Sequence, residues 1–456
     1  MSTPAKQAVE IAGRGPASDY ARRLLADLGF AVRSAHGPPD VEPTLAWAQS
    51  GAMALTGRAD ALPRAPAGPI AACATGVARA LAAVGGRAPD DAPALLGERA
   101  ALFGLRRRGA ISAGGSCRLL RTADGFAALN LARPDDERAL PAWLAAQPAA
   151  SDTDAWAFAA REMRRRPSAW LAERAGWVGL AFAPSVDPDP SPMWLKSIPC
   201  GPRAAPRATP RVVDFSSLWA GPLCTRLLAD AGAEVVKVES RVRPDGARQG
   251  APAFFDLLHA GKKSVQLDFH DDRDHGFLQA LVDSADIVVE STRPRALAQL
   301  GIEAEAFAAA RPGRVWLSVT GYGRDDPPPG RVAFGDDAGV AAGLARSVGD
   351  EAGPLFCGDA IADPLTGLHA ALAAFCAWRQ GGGVLLDLAL RDVAAHVHGF
   401  AEVGAYEVAG RVDAAWVSAE GVVADVAAPR ARPARGRARE AGADTQALRR
   451  ALRVAC

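Results

Sequence analysis

The fold of this chain is decided by residues 212–239, which read VVDFSSLWAGPLCTRLLADAGAEVVKVE. The apolar run from Val212 to Phe215 predicts a short β-strand. The turn Ala220–Pro222 then leads into a predicted helix from Leu223 to Ala231. The apolar run from Glu234 to Val238 predicts a second strand. Strand, helix and strand in this order form a βαβ unit, so we expect a parallel sheet with ligands near the carboxyl ends of its strands.

The composition is typical of a globular protein with more than one domain. At 456 residues the chain is too long for one ordinary core. The 52 basic and 51 acidic side chains nearly cancel, so no global field points to nucleic acid or to a membrane. The N-terminus lacks an apolar signal core, and the seven cysteines show no paired spacing. We therefore expect a cytoplasmic protein with reduced thiols.

Strands and helices alternate beyond the opening unit. The further predicted strands are Ser264–Phe269, Ile287–Glu290, Val315–Val319 and Val384–Leu390. A long helix is predicted from Pro364 to Trp378. This alternation predicts a doubly wound, Rossmann-like α/β domain with a parallel sheet over residues 211–400. Residues 401–456 form a C-terminal segment.

The N-terminal part contains an internal repeat of the large domain. Two pairs of segments share their patterns: Arg23–Gly29 with Arg226–Gly232, and Pro69–Gly76 with Ala360–Gly367. Ala72 stands where the later copy has Asp363. We therefore interpret residues 1–100 as a degenerate, shortened half-repeat of the large-domain motif.

The segment between the two copies predicts a small α+β domain over residues 101–195. A strand from Cys117 enters a tight turn at Gly125, and a second short strand runs through Leu131. Two helical stretches follow. Residues 196–210 are rich in proline and arginine and are interpreted as a linker.

Six motifs in a fixed order resemble family III CoA-transferases of the CaiB/BaiF type, which includes formyl-CoA transferase and α-methylacyl-CoA racemase. The motifs are DFSSLWAGP (214–222), LLADAGAEVVKVE (227–239), AGKKSVQLD (260–268), ADIVVE (285–290), SVTGYG (318–323) and LDLAL (386–390). The resemblance covers the chain from Asp214 to Leu390. It implies an enzyme that moves coenzyme A from an acyl-CoA to a carboxylic acid, with no permanently bound cofactor.

The resemblance places the family's aspartate nucleophile at Asp363. Its carboxylate would attack the thioester to form a mixed anhydride, and the released thiolate would then form an aspartyl thioester. From its position alone, Asp363 is more consistent with a simple N-cap of the helix through Trp378, and the resemblance reverses this preference. The nearby Asp359 is the second candidate.

Coenzyme A contacts are also implied by the resemblance. They fall on Leu218, Trp219, Leu267, His270, Ser291, Thr292 and Gln299. Three positions depart from the family pattern: Gln299 replaces a common arginine, His270 replaces a lysine, and Ser240 stands where an arginine is frequent. Arg241 is then the nearest substitute. Fewer fixed positive charges should weaken phosphate binding.

Two other functions remain open. The three departures from the family pattern at the coenzyme A contacts favour a non-catalytic relative that serves as a partner subunit. A 2-methylacyl-CoA racemase needs a second acid–base group, but Gly335-Asp336-Asp337 lacks the histidine that the family racemases carry there. The run from His270 to His275 is more typical of helix capping than of a metal site, so no metal is expected.

The family's interlocked dimers suggest two assemblies for this chain. One is a homodimer. The other is a pseudo-dimer within one chain, in which the N-terminal copy stands in for part of a partner and only Asp363 is competent. The arginine-rich tail at residues 429–439 is interpreted as a solvated or packed terminus and not as a nucleic-acid site.

Overall fold

The computed structural model describes residues 8–188, 193–292, 294–326 and 331–454. The N-terminal part opens with a βαβ unit, because its first two strands pair in parallel. Its elements are β1 (Val9–Arg14), α1 (Pro16–Asp27), β2 (Val32–Pro39), α2 (Pro43–Ser50), α3 (Ile70–Ala83) and α4 (Glu98–Phe103). Helix α4 crosses the expected boundary at residue 100, so the N-terminal part does not end there.

The small domain is an antiparallel three-stranded sheet with helices on one face. Its elements are β3 (Cys117–Arg121), β4 (Phe126–Asn130), α5 (Pro134–Leu144), α6 (Ala155–Met163), α7 (Ser168–Val178) and β5 (Ala181–Pro184). The first two strands match the sequence prediction. Helix α7 and strand β5 were not predicted.

The large domain is built on a seven-stranded sheet with the order β6-β12-β11-β10-β7-β8-β9. Its elements are β6 (Lys196–Pro199), β7 (Arg211–Asp214), α8 (Ala220–Asp230), β8 (Glu234–Ser240), α9 (Pro252–His259), β9 (Lys263–Leu267), α10 (Asp272–Ser284), β10 (Ile287–Glu290), α11 (Pro294–Ala298), α12 (Ala304–Ala310), β11 (Val315–Thr320), α13 (Gly335–Ala341), α14 (Leu344–Ser347), α15 (Ala362–Arg379), β12 (Val384–Ala389) and α16 (Leu390–His398).

All pairs in this sheet are parallel except that of β6 with β12. The expected linker at 196–210 is therefore wrong in its first four residues. Lys196–Pro199 pair with β12 because the exposed edge of that strand offers unpaired backbone groups, and Ile198 packs on the core. Residues 200–210 carry no helix or strand, as a linker would.

Helices cover both faces of the sheet, which confirms the doubly wound architecture. Val212 and Val289 point to the face packed by α8 and α15. Val213 and Val288 point to the other face, packed by α10 and α12. The first of these cores also includes Leu24 and other apolar side chains of the N-terminal part. The N-terminal part therefore shares a core with the large domain.

The direction of chain progression across the sheet reverses between the neighbouring strands β7 and β10. In open α/β sheets, ligands bind in the crevice at this switch point, beyond the carboxyl ends of the two strands.

The C-terminal segment contains a further antiparallel sheet that was not predicted. Its elements are β13 (Tyr406–Arg411), β14 (Ala414–Ala419), β15 (Val422–Asp425) and α17 (Thr445–Ala451). The arginine-rich tail lies on the protein: Arg430 pairs with Asp91, and Arg432 pairs with the buried Glu98. In the described ranges, no helix is both long and apolar enough to cross a membrane.

Candidate active site

The loops after β7 and β10 meet at the switch point. The backbone N–H of Ser217 donates to Ser291 Oγ at 3.0 Å and joins the two loops. A cavity of about 270 Å³ opens beside them. Leu218, Ser291 and Thr292, three of the predicted coenzyme A contacts, line this cavity together with Asp363. The structure therefore brings these four predicted residues to one place.

Asp363 lies inside the first turn of α15 and not at its cap. The N-cap position is Ile361, which makes no side-chain capping bond. The N–H of Asp363 donates to the carbonyl of Ala360 at 2.9 Å, and its carboxylate accepts from the N–H of Gly335. The simple capping interpretation is therefore wrong, and the side chain of Asp363 faces the cavity.

The carboxylate of Asp363 stands in a cluster of acids. Burial raises the pKa of Asp363 to about 7, and the neighbouring Asp336 and Asp359 add to this rise while Arg99 opposes it. Burial also raises the pKa of Asp337 to about 7, although Asn130 donates to this carboxyl at 3.0 Å. Perturbed acids in a crevice are typical of functional sites.

The two other candidate acids do not reach the cavity. The Asp359 side chain is fully buried in a two-pronged ion pair with Arg99. The Asp336 carboxylate accepts from the N–H of Ala360 at 2.9 Å and is 7% exposed. Neither lines the cavity, so Asp363 is the acid that a ligand there would contact.

Positive charge and helix N-termini face the same space. Ala220 and Gly221, the first residues of α8, line the cavity opposite the start of α15. Unpaired N–H groups at helix starts bind anions. Arg133 of the small domain and Arg331 also line it.

Arg133, Arg331 and Arg99 were not identified as site residues from the sequence. They come from three distant segments without a shared motif, so no sequence signal pointed to them.

Five predicted contacts lie elsewhere. Trp219 and Leu267 are buried in the core, 2% and 0% exposed, so their side chains do not reach a ligand in the cavity. The side chains of Arg241, His270 and Gln299 are exposed, and none of them lines the cavity.

The acidic run at the start of α10 caps that helix. The Asp271 carboxylate accepts from the N–H groups of Arg273 and Asp274. Within the described residues, no group of histidine, cysteine and acidic side chains is arranged to hold a metal ion.

Comparison with known proteins identifies relatives of the second half. Residues 209–431 match the family model described as CoA-transferase family III. A succinyl-CoA–D-citramalate CoA-transferase of Chloroflexus aurantiacus is 31% identical over 194 residues, covering 40% of this chain and 48% of the relative. A mouse succinyl-CoA:glutarate CoA-transferase is 29% identical over 282 residues, covering 59% and 61%.

Among solved structures, a CaiB/BaiF family protein from Brucella suis matches with 30% identity and a TM-score of 0.38, over 41% of this chain and 53% of that one. The chain thus spans about half the length of several of the relatives it matches. The similarity to CoA-transferase family III therefore lies in residues 209–431 of this chain.

Proposed function

We propose that the protein is an acyl-CoA:carboxylate CoA-transferase whose nucleophile is Asp363. The observation that carries this proposal is the placement of Asp363 in the switch-point cavity, where it is the one carboxylate among the described lining residues. A nucleophile must touch its substrate, and the neighbouring acids are held away from this space.

The reaction proceeds in four steps: two transfer coenzyme A from the donor to Asp363, and two transfer it from Asp363 to the acceptor. The Asp363 carboxylate attacks the thioester carbonyl of the donor, forms a mixed anhydride and releases the coenzyme A thiolate. The thiolate attacks the aspartyl carbonyl, forms an aspartyl thioester and releases the donor acid. The acceptor carboxylate then attacks this thioester, forms a second mixed anhydride with Asp363 and releases the coenzyme A thiolate. The thiolate finally attacks the acceptor's acyl carbon, which yields the new acyl-CoA and frees Asp363.

The surroundings of the cavity suit this chemistry. Each attack places negative charge on a carbonyl oxygen, and the starts of two helices line the cavity: Ala220 and Gly221 of α8 and Asp363 of α15. Arg133 and Arg331 provide charge for a carboxylate or a phosphate. The exposed Leu218 offers apolar contact at the mouth.

A racemase would need a second acid–base group on the other side of the substrate. Asp336 stands at the position of the histidine that the family racemases carry, but its carboxylate accepts from the backbone N–H of Ala360 and does not line the cavity. This geometry speaks against the racemase alternative.

A non-catalytic partner subunit is the second candidate. The observation that favours it is the position of Arg241, His270 and Gln299, which do not line the cavity. With these side chains elsewhere, the phosphates of coenzyme A would rely on Arg133 and Arg331.

The proposal also includes the N-terminal half-repeat. The offset in residue number between Arg23 and Arg226 also relates Val9 to Val212 and Val32 to Val235. In the structure, Val9 pairs with Val32 in the first copy, and Val212 pairs with Val235 in the second. A second cavity of about 240 Å³ lies beside Ala17 and Ala72, the counterparts of Ala220 and Asp363. These parallels support a pseudo-dimer within one chain that keeps one nucleophile.

The test is intact-protein mass spectrometry after mixing with acyl-CoAs, with hydroxylamine trapping. Succinyl-CoA is the first donor to use, because the names of both quoted relatives contain it. We expect one adduct per chain, on the peptide that contains Asp363, and none in Asp363→Ala. Coenzyme A binding without any adduct would favour the non-catalytic subunit, and two adducts per chain would contradict the single-nucleophile arrangement.

A further inference from the structure

A buried ion pair links the N-terminal part to the turn that precedes Asp363. Arg99, in α4, donates through Nε to Asp359 Oδ2 at 2.9 Å and through Nη2 to Asp359 Oδ1. The Asp359 side chain is 0% exposed. A buried carboxylate that loses its only guanidinium partner is strongly unfavourable, so this contact constrains both segments.

The turn held by this pair has an uncommon backbone. Ala360 adopts φ 42°, a left-handed conformation that side chains other than glycine rarely take. Its N–H donates to Asp336 Oδ1 at 2.9 Å, and its carbonyl accepts from the N–H of Asp363 at 2.9 Å. The turn is therefore fixed on one side by Asp336 and on the other by Arg99 through Asp359.

Arg99 also balances the charge of the acid cluster. Asp336 and Asp359 face Asp363 with negative charge, and Arg99 is the cation that opposes them. Burial disfavours the guanidinium charge, yet the three carboxylates raise the pKa of Arg99 above its ordinary value. Across the cavity stand Arg133 and Arg331, which are paired with other acids.

We propose that Arg99 is a positioning residue for the transferase reaction: through Asp359 it fixes the turn at Ala360 and keeps the Asp363 carboxylate both oriented and ionisable. The proposal rests on the function proposed above. It assigns the N-terminal part a direct role, because this part supplies the cation on which the site of the other half depends.

The test compares Arg99→Met with Arg99→Lys in the full chain. One readout is independent of turnover: a water-soluble carbodiimide with glycine ethyl ester labels protonated carboxyls, and peptide mass spectrometry follows the Asp363 peptide across pH. The other readout is the pH profile of kcat/KM for exchange between succinyl-CoA and a carboxylic acid. Arg58→Met is the matched control, because Arg58 makes a similar two-pronged bridge between the halves, to Asp350.

In Arg99→Met we expect the labelling midpoint and the acid limb of exchange to move up by about one pH unit or more, as the acids lose their counter-charge. Arg99→Lys keeps the charge but loses the planar fork, so its midpoint stays near the wild type while kcat falls about ten- to a hundredfold with little change in KM. Arg58→Met should change neither readout.

The inference is overturned if folded Arg99→Met leaves the labelling midpoint in place, or if Arg99→Lys exchanges at the wild-type rate. If Arg99→Met does not fold, the kcat of Arg99→Lys decides. If Arg99→Met shifts the pH midpoint of Asp363 labelling but the wild type shows no exchange activity, the proposed function is excluded and the electrostatic effect of Arg99 on Asp363 stands. If the wild type exchanges coenzyme A and the Arg99 variants behave in the same way, the proposed role of Arg99 is excluded and the proposed transferase function stands.

Discussion

Gly335 and Asp363 lie in direct contact, so close that a Cβ on Gly335 would stand 2.5 Å from Asp363 Oδ2. The same Cβ would stand 2.3 Å from the carbonyl oxygen of Ala360. The Asp363 carboxylate and the first turn of α13 therefore fit together only when position 335 carries no side chain.

This contact predicts a strong effect of Gly335→Ala. The new methyl group displaces the Asp363 carboxylate and the turn at Ala360, so we expect kcat to fall about a hundredfold or more and stability to fall by about 1–3 kcal/mol. Exchange kinetics and thermal melting measure both. Gly276→Ala is the control, since a Cβ there meets nothing within 4 Å. Near wild-type exchange in Gly335→Ala would contradict the placement of the nucleophile.

The exchange reaction should depend on pH through Asp363. Burial raises the pKa of this carboxyl to about 7, and only the ionised form attacks a thioester. We expect kcat/KM to fall about tenfold per pH unit below this value and to level off above it. A donor whose acyl group does not ionise, such as acetyl-CoA, excludes titration of the acyl group from this profile. An acid limb that lies below pH 5 would show that a different group governs the rate.

Removing the Asp363 carboxyl should stabilise the protein at high pH. Between the ordinary value of 3.8 and about 7, native Asp363 holds a proton that the unfolded chain has lost. Stability therefore falls as pH rises through this window and stays low above it. We expect Asp363→Asn to be more stable than the wild type at pH 8, by up to about 4 kcal/mol, and the difference to shrink toward pH 4.

Denaturant unfolding at several pH values measures this difference. Asp413→Asn is the control, because that side chain is 72% exposed. An Asp363→Asn variant that is less stable than the wild type at pH 8 would indicate that the carboxylate gains more from its hydrogen bonds than burial costs.

Two helix crossings test the half-repeat. A Cβ on Gly76 would stand 2.6 Å from the carbonyl oxygen of Ala17, and one on Gly367 would stand 2.8 Å from that of Ala220. We expect Gly76→Ala and Gly367→Ala to lose similar stability, about 1–3 kcal/mol each. Only Gly367→Ala should lower kcat, because it moves the start of α8 at the cavity. Equal loss of activity in both variants would mean that the second cavity takes part in the reaction.

Local sequence patterns were sufficient for much of the large domain. The predicted strands at Val212 and Glu234 are parallel neighbours, and the long helix predicted from Pro364 to Trp378 is α15 (Ala362–Arg379). Strand β6 escaped prediction because its pairing depends on the free edge of β12, which is distant in sequence. The sheet at Tyr406–Asp425 was missed as well: its strands lie within one C-terminal segment, but their residues carry no clear period of two.

The sequence by itself determined the resemblance to CoA-transferase family III, the alternation of strands and helices, and the choice of Asp363 as the candidate nucleophile, because these depend on short segments whose residues are neighbours in the chain. The tertiary structure decided which residues surround that carboxylate. Arg99 lies 260 positions from Asp359, and Arg133 reaches the cavity from the small domain. Their roles arise from burial, which strengthens each charge on its neighbours, and burial exists only once the distant segments have packed together.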